Sequence, residues 1–235
     1  MLPVGRVAFA GLVTVLAVAM MADATEVSLY SIDGRQTGNA NRTGSRRLQE
    51  FNPSLSMPNS IGGPGQEYFD RVGMRFGLDA GERIWGELDL YFWLNDVYQT
   101  YGQDPACRKQ IDVTNTSDQY ADVWLELDLN VLSDPPFPVP PHPWPDPLGP
   151  VPAKGRYLLR FDCRGMSGGN SRYDIYWSTN GDDGDENQAW QWDSGASAPW
   201  AYPGGAWDVR VNAMPEPAAA LLLVLGGVVG LRRRR

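Results

Sequence analysis

Three stretches of the chain alternate apolar and polar side chains one by one, and this rhythm constrains the fold more than any other feature. RVGMRFGL places Val72, Met74, Phe76 and Leu78 on one side and Arg71, Gly73, Arg75 and Gly77 on the other. IWGELDLYFWL sets Ile84, Leu88, Leu90, Phe92 and Leu94 against Glu87, Asp89, Tyr91 and Trp93. VWLELDLNVL sets Val123, Leu125, Leu127, Leu129 and Val131 against Trp124, Glu126, Asp128 and Asn130. Period two is the signature of a strand with one buried face. RYLLRFDCRG continues the series, with Tyr157, Leu159, Phe161 and Cys163 on one face, and YDIYW at 173–177 and WDVRV at 207–211 are shorter members. Strand pieces are also expected near 27–32 and around Phe51. About seven or eight strands, many turns and no convincing amphipathic helix predict an all-β fold. Each strand has one wet face, so the sheets should be antiparallel. The expected architecture is a jelly-roll-like β-sandwich.

One segment breaks the rhythm. Residues 134–152, DPPFPVPPHPWPDPLGPVP, hold ten of the chain's 19 prolines. Proline lacks a backbone donor and fixes φ, so this run cannot be a central strand. It should be an extended loop between two strands. It either presents Phe137 and Trp144 for recognition or lies over a sheet edge and blocks edge-to-edge association. The second is the preferred reading.

The two ends are different in kind. Arg6, an apolar stretch at 7–21 and the small-x-small sequence Ala22-Asp23-Ala24 have the form of a secretory signal peptide over residues 1–24. At the other end an apolar run at 218–231 is followed at once by Arg232, Arg233, Arg234 and Arg235. Arginines stay on the cytoplasmic side, so such a tail would thread outward to inward and stop there. Together with Pro215, Glu216 and Pro217, residues 213–235 resemble the PEP-CTERM sorting domain of Gram-negative bacteria. The resemblance implies recognition and cutting by an exosortase, a membrane-embedded protease-transpeptidase. It also implies transient insertion of the tail in the inner membrane, then delivery to the cell surface or matrix, often alongside exopolysaccharide production. It says nothing about the intervening residues 25–212, the expected β domain.

Composition narrows what that domain can bind. Without its two ends the chain keeps 15 Lys and Arg against 26 Asp and Glu, a net charge of −11. That argues against nucleic acid, whose phosphates need Lys and Arg. It suits a soluble extracellular protein, with the collection of divalent cations as one option. In an exported protein Cys107 and Cys163, the only cysteines, are expected to form a disulfide; two buried free thiols are the alternative.

Candidate chemistry lies in two places. Asn180, Asp182, Asp183, Asp185 and Glu186 share one glycine-broken loop. Calcium takes six to eight oxygen ligands of these types, although the spacing is not that of an EF-hand and a solvated acidic turn is the plainer reading. Trp190, Trp192, Trp200, Tyr202 and Trp207 could form a sugar platform, because pyranose faces stack on rings, or they could simply be structural. Trp85, Tyr91, Trp93 and Trp124 add outward-facing aromatics. The single histidine, His142, lies in the proline run, and zinc or phosphate-loop patterns are missing from the sequence. The expectation is a non-enzymatic exported surface or matrix protein. The rival readings are a calcium-assisted carbohydrate-binding module and a polysaccharide-active enzyme, which needs two facing carboxylates.

Overall fold

Strand β4 (Tyr68–Leu78) is the hub of the first sheet. Along one edge it pairs with β7 (Ala121–Asp128), from Arg71 opposite Asp128 to Leu78 opposite Ala121. The short β8 (Val151–Pro152) occupies the same edge beyond β7, opposite Phe69 and Tyr68. Along the other edge β4 pairs with β14 (Val209–Met214) and then with β10 (Asp174–Ser178). β1 (Thr25–Ser28) flanks β14, while β2 (Gly34–Gln36) and β13 (Ala206–Trp207) flank β10. The second sheet runs in the order β12 (Trp200–Tyr202), β11 (Ala189–Trp192), β3 (Arg46–Phe51), β9 (Tyr157–Ser167), β5 (Arg83–Phe92), β6 (Cys107–Thr114). Every pairing is antiparallel. This computed structural model describes residues 24–30, 34–36, 41–55, 59–135, 143–168, 172–179, 187–202 and 205–214.

The core forms where the apolar faces of the two sheets meet, as the alternation requires. Phe76 of β4 meets Phe161 of β9 at 5.0 Å between ring centroids, and Tyr173 packs on both. Phe51 of β3, Phe69 of β4 and Tyr157 of β9 make a second knot of tilted and edge-on rings. Such pairs add about 0.5–1.5 kcal/mol each beyond the area they bury. The proline-rich segment closes one end of this core: Trp144 lies on Phe92 at 4.3 Å, and Val151 and Pro152 add the two residues of β8 to the sheet. Phe137 lies outside the described residues.

Several expectations need correction. Leu94 and Val131 were placed on core faces, but β5 ends at Phe92 and β7 at Asp128, and the two side chains are 45% and 48% exposed. Strand β3 is a full six-residue member of the second sheet even though Arg47 and Gln49 point inward. They are tolerated because they are hydrogen-bonded. Arg47 donates to the Asn41 side chain, while Gln49 donates to the Asn187 carbonyl and accepts from Trp207 N–H. Among the described residues there is one short helix, α1 (Val97–Tyr101). Asp96 caps it by accepting from Gln99 N–H at 2.8 Å, and Val97 is buried against the sheet. Strand β14 continues past residue 212 through Ala213, which is 1% exposed, to Met214.

The expected disulfide is not formed. Cys107 and Cys163 are both free and buried. They lie on strands flanking opposite sides of β5, Cys107 opposite Leu90 and Cys163 opposite Gly86, four residues along. That separates them by about 10 Å across the sheet and about 13 Å along it, whereas a disulfide needs Cα atoms within about 7 Å. Sharing an inward face was necessary for a bridge but not sufficient. Burial pushes the two thiols up to about 11 and about 12.

Candidate functional site

The outer face of the second sheet is ordered in rows across its strands. One row reads Trp190, Leu48, Arg160, Asp89, Arg108 from β11 to β6. The next reads Trp192, Arg46, Asp162, Glu87, Gln110. Asp89 is fully buried, yet it accepts from Arg108 Nε at 2.7 Å and Nη2 at 3.1 Å and from Arg160 Nη2, with the Tyr91 hydroxyl at 3.3 Å. Burial works to lower the pKa of Arg108, but Asp89 and Glu87 outweigh it and hold the guanidinium above its ordinary value. Asp162 faces Arg46 at 3.0 Å and Arg164 at 3.4 Å; Glu87 faces Arg164 at 3.1 Å and Arg108 at 3.8 Å. Arginine suits these positions because its planar fork serves two carboxylates at once. The network fixes which side chains face one another; as a source of net stability a buried ion pair counts for little.

The two ends of this face differ. At one end α1 covers Leu48, Tyr91 and Leu158, with Trp93, Tyr101, Trp190 and Trp192 leaning in. At the other end the face stays open as a cleft of about 230 Å3. The cleft is built on a grid of four residues, with Trp85 opposite Asp112 and Glu87 opposite Gln110. Arg164 enters from β9. A β-bulge makes this possible. Trp85 pairs with Gly165 and Gly86 with Cys163, so Arg164 is the extra, unpaired residue of β9. The bulge turns Gly165 beneath the indole, where a Cβ would lie 2.1 Å from Trp85 Cζ2, so glycine lets the ring lie down on the strand and a larger residue would have to lift it. Arg83 rests over Trp85 at 5.1 Å and pairs with Asp112 through Nε at 2.7 Å, and that hydrogen bond holds the Asp112 carboxyl below its usual range.

The outer face of the first sheet is closed on itself. Arg75 pairs with Asp122 at 2.5 Å and stacks on Tyr176 at 4.1 Å. Arg35 stacks on Tyr120 and Arg210 on Trp124, at 4.6 and 4.2 Å. The Tyr176 hydroxyl donates to Asp122, so the rings and carboxylates of this face are already engaged by neighbours.

The five aromatics read as a platform do not share a surface. Trp207 is fully buried in the core. Trp200, 44% exposed, and Tyr202 sit opposite Gln191 and Ala189, and so on the opposite face of their sheet from Trp190 and Trp192. Tyr202 packs on Trp177 and Trp207, and Trp192 on Tyr101 and Arg46. Alternation along β11 and β12 forbids a single platform. The acidic loop with Asn180, Asp182, Asp183, Asp185 and Glu186 lies outside the described residues, as do Pro215, Glu216, Pro217, Arg232, Arg233, Arg234, Arg235 and residues 1–23. Among the described residues no group of three or more His, Cys, Asp or Glu side chains is placed to hold a metal, and no helix is long and apolar enough to cross a membrane. The cleft was half visible in the sequence, where Trp85 and Glu87 fall on the outward side of the alternation. Arg164 and Gly165 were hidden, because a bulge leaves no mark in the pattern.

These elements define an all-β protein of two antiparallel sheets, with arginine–carboxylate rows on its outer faces and an aromatic-walled cleft at one end. No family model matches the chain, and no curated protein or solved structure matches it.

Proposed function

We propose that this is an exported bacterial surface or extracellular-matrix protein, sorted through Pro215-Glu216-Pro217 and its basic cluster, with a non-enzymatic structural and binding role. The observation that supports the reading is the pairing of the first described strand with the last. β1 begins at Thr25, where the mature chain is expected to begin, and Thr25 pairs with Ala213, two residues before Pro215. The β domain therefore fits between the two segments that export and sorting would remove. Its partners in this reading are an exosortase-like membrane enzyme and an exopolysaccharide, with calcium a candidate only for the loop at 180–186. A jelly-roll-like form belongs to the same proposal; successive strands switch repeatedly from one sheet to the other, as that form requires. A binding role is favoured over polysaccharide cleavage because the carboxylates of the cleft, Glu87 and Asp112, are each committed to arginine.

The test is export in a Gram-negative host that carries an exosortase-like enzyme. The unaltered chain is expected to lose mass at its C-terminus and leave the inner-membrane fraction. The triple variant Pro215→Ala, Glu216→Ala, Pro217→Ala is expected to stay full length in that fraction. Equal mass and equal fractionation of the two chains would sink the proposal.

A further inference from the structure

We propose that the Trp85 cleft is a subsite for one sugar unit of a neutral polysaccharide. The site is distinct from the aromatics singled out in the sequence. The inference rests on the reading of a matrix-binding protein and names the class of ligand. At about 230 Å3 the cleft is smaller than the roughly 300–1,000 Å3 of pockets for drug-sized molecules. It therefore admits one ring while the rest of a polymer passes over an open surface.

The lining has the composition that a sugar needs. The Trp85 indole, with Gly165 beneath it and Arg83 over it at 5.1 Å, supplies a partly exposed apolar wall. Around it stand a carboxylate pair, an amide and a guanidinium, which accept from and donate to neighbouring hydroxyls. Their exposure is graded. Glu87 is the more sheltered, with a side chain only 14% exposed and held by two arginines, whereas Asp112 and Arg164 are 56% and 53% exposed and, while paired with Arg83 and Glu87, keep an open side toward a ligand. A neutral polymer is favoured over a uronate polymer because two carboxylates line the cleft and the chain without its ends carries a net charge of −11.

The full chain would be run through native gels cast with galactomannan, hydroxyethylcellulose or dextran, with alginate as the anionic control. Retardation by at least one neutral polymer and free migration in alginate are expected. Trp85→Ala and Gln110→Ala should each weaken that retardation at least tenfold, while the melting temperature of Gln110→Ala falls only by what one exposed hydrogen bond, from Gln110 Nε2 to the Pro135 carbonyl, contributes. Gln110 lies exposed on the outermost strand of its sheet, so this second variant decides the matter even if Trp85→Ala fails to fold. No retardation in any neutral gel, or retardation that both variants keep, would overturn the proposal. Neither result bears on the sorting tail, which the export experiment tests separately.

Discussion

Asp208 sits where β14, β4 and β10 meet. Its N–H donates to the Tyr176 carbonyl at 2.8 Å and its own carbonyl accepts from Arg75 N–H at 3.1 Å. The side chain is 1% exposed, accepts from Ser28 Oγ at 3.0 Å and has Arg75 Nη1 at 3.6 Å. Burial pushes its pKa up to about 6, against the pull of Ser28, Arg75 and Arg210. The native state therefore holds this proton to higher pH than the unfolded chain does. The stabilisation is complete below the ordinary Asp value and is lost as pH rises to about 6, a change on the order of 3 kcal/mol. Asp208→Asn keeps the shape and the acceptor for Ser28 but cannot titrate. Relative to wild type, the variant should gain stability of that order between about pH 4 and pH 7, read from denaturant midpoints at the two values. Parallel pH dependences would show that Asp208 is charged throughout.

At the scale of elements, the bulge between β5 and β9 carries a differential expectation. A Cβ on Gly86 would lie 2.1 Å from the Asp162 carbonyl oxygen, a backbone atom of the neighbouring strand. The three atoms nearest a Cβ on Gly165 would all belong to the Trp85 side chain. Gly86→Ala should cost about 3 kcal/mol as overpacking, or roughly 6–12 °C in melting temperature. Gly165→Ala should cost less than half as much, because an indole can lift where a strand cannot; the reverse order in thermal melts would contradict this placement of the strands. The same elements show what the sequence could and could not reveal. Alternation made the faces of β4, β5, β7 and β9 legible, because water on one side and a core on the other leave a period of two. It failed at β3, where Arg47 and Gln49 face inward against polar partners drawn from distant parts of the chain. It failed at α1, whose single turn is too short to show a helical period. The cleft was legible only for Trp85 and Glu87; Gln110, Asp112 and Arg164 reach it through cross-strand register, which long-range pairing decides.

For the whole molecule, the cysteines give a global readout of folding. Both thiols are buried and shifted upward, so a disulfide-exchange reagent should find none in the native protein and two per chain in denaturant. A reductant should leave the melting curve where it is. No reactive thiol in denaturant would mean that the chain is cross-linked after all. The register also decides how this molecule would bear a mechanical load. Strand β14 is clamped between β1 and β4 and ends at Met214. Tension applied at that end pulls along the strand, so two ladders of hydrogen bonds must slide together before it comes free. Tension between Thr25 and Ala213, which lie side by side, would instead peel β1 away one bond at a time. A protein held by its C-terminal end would thus resist tearing, while its first strand could be stripped by a weak pull.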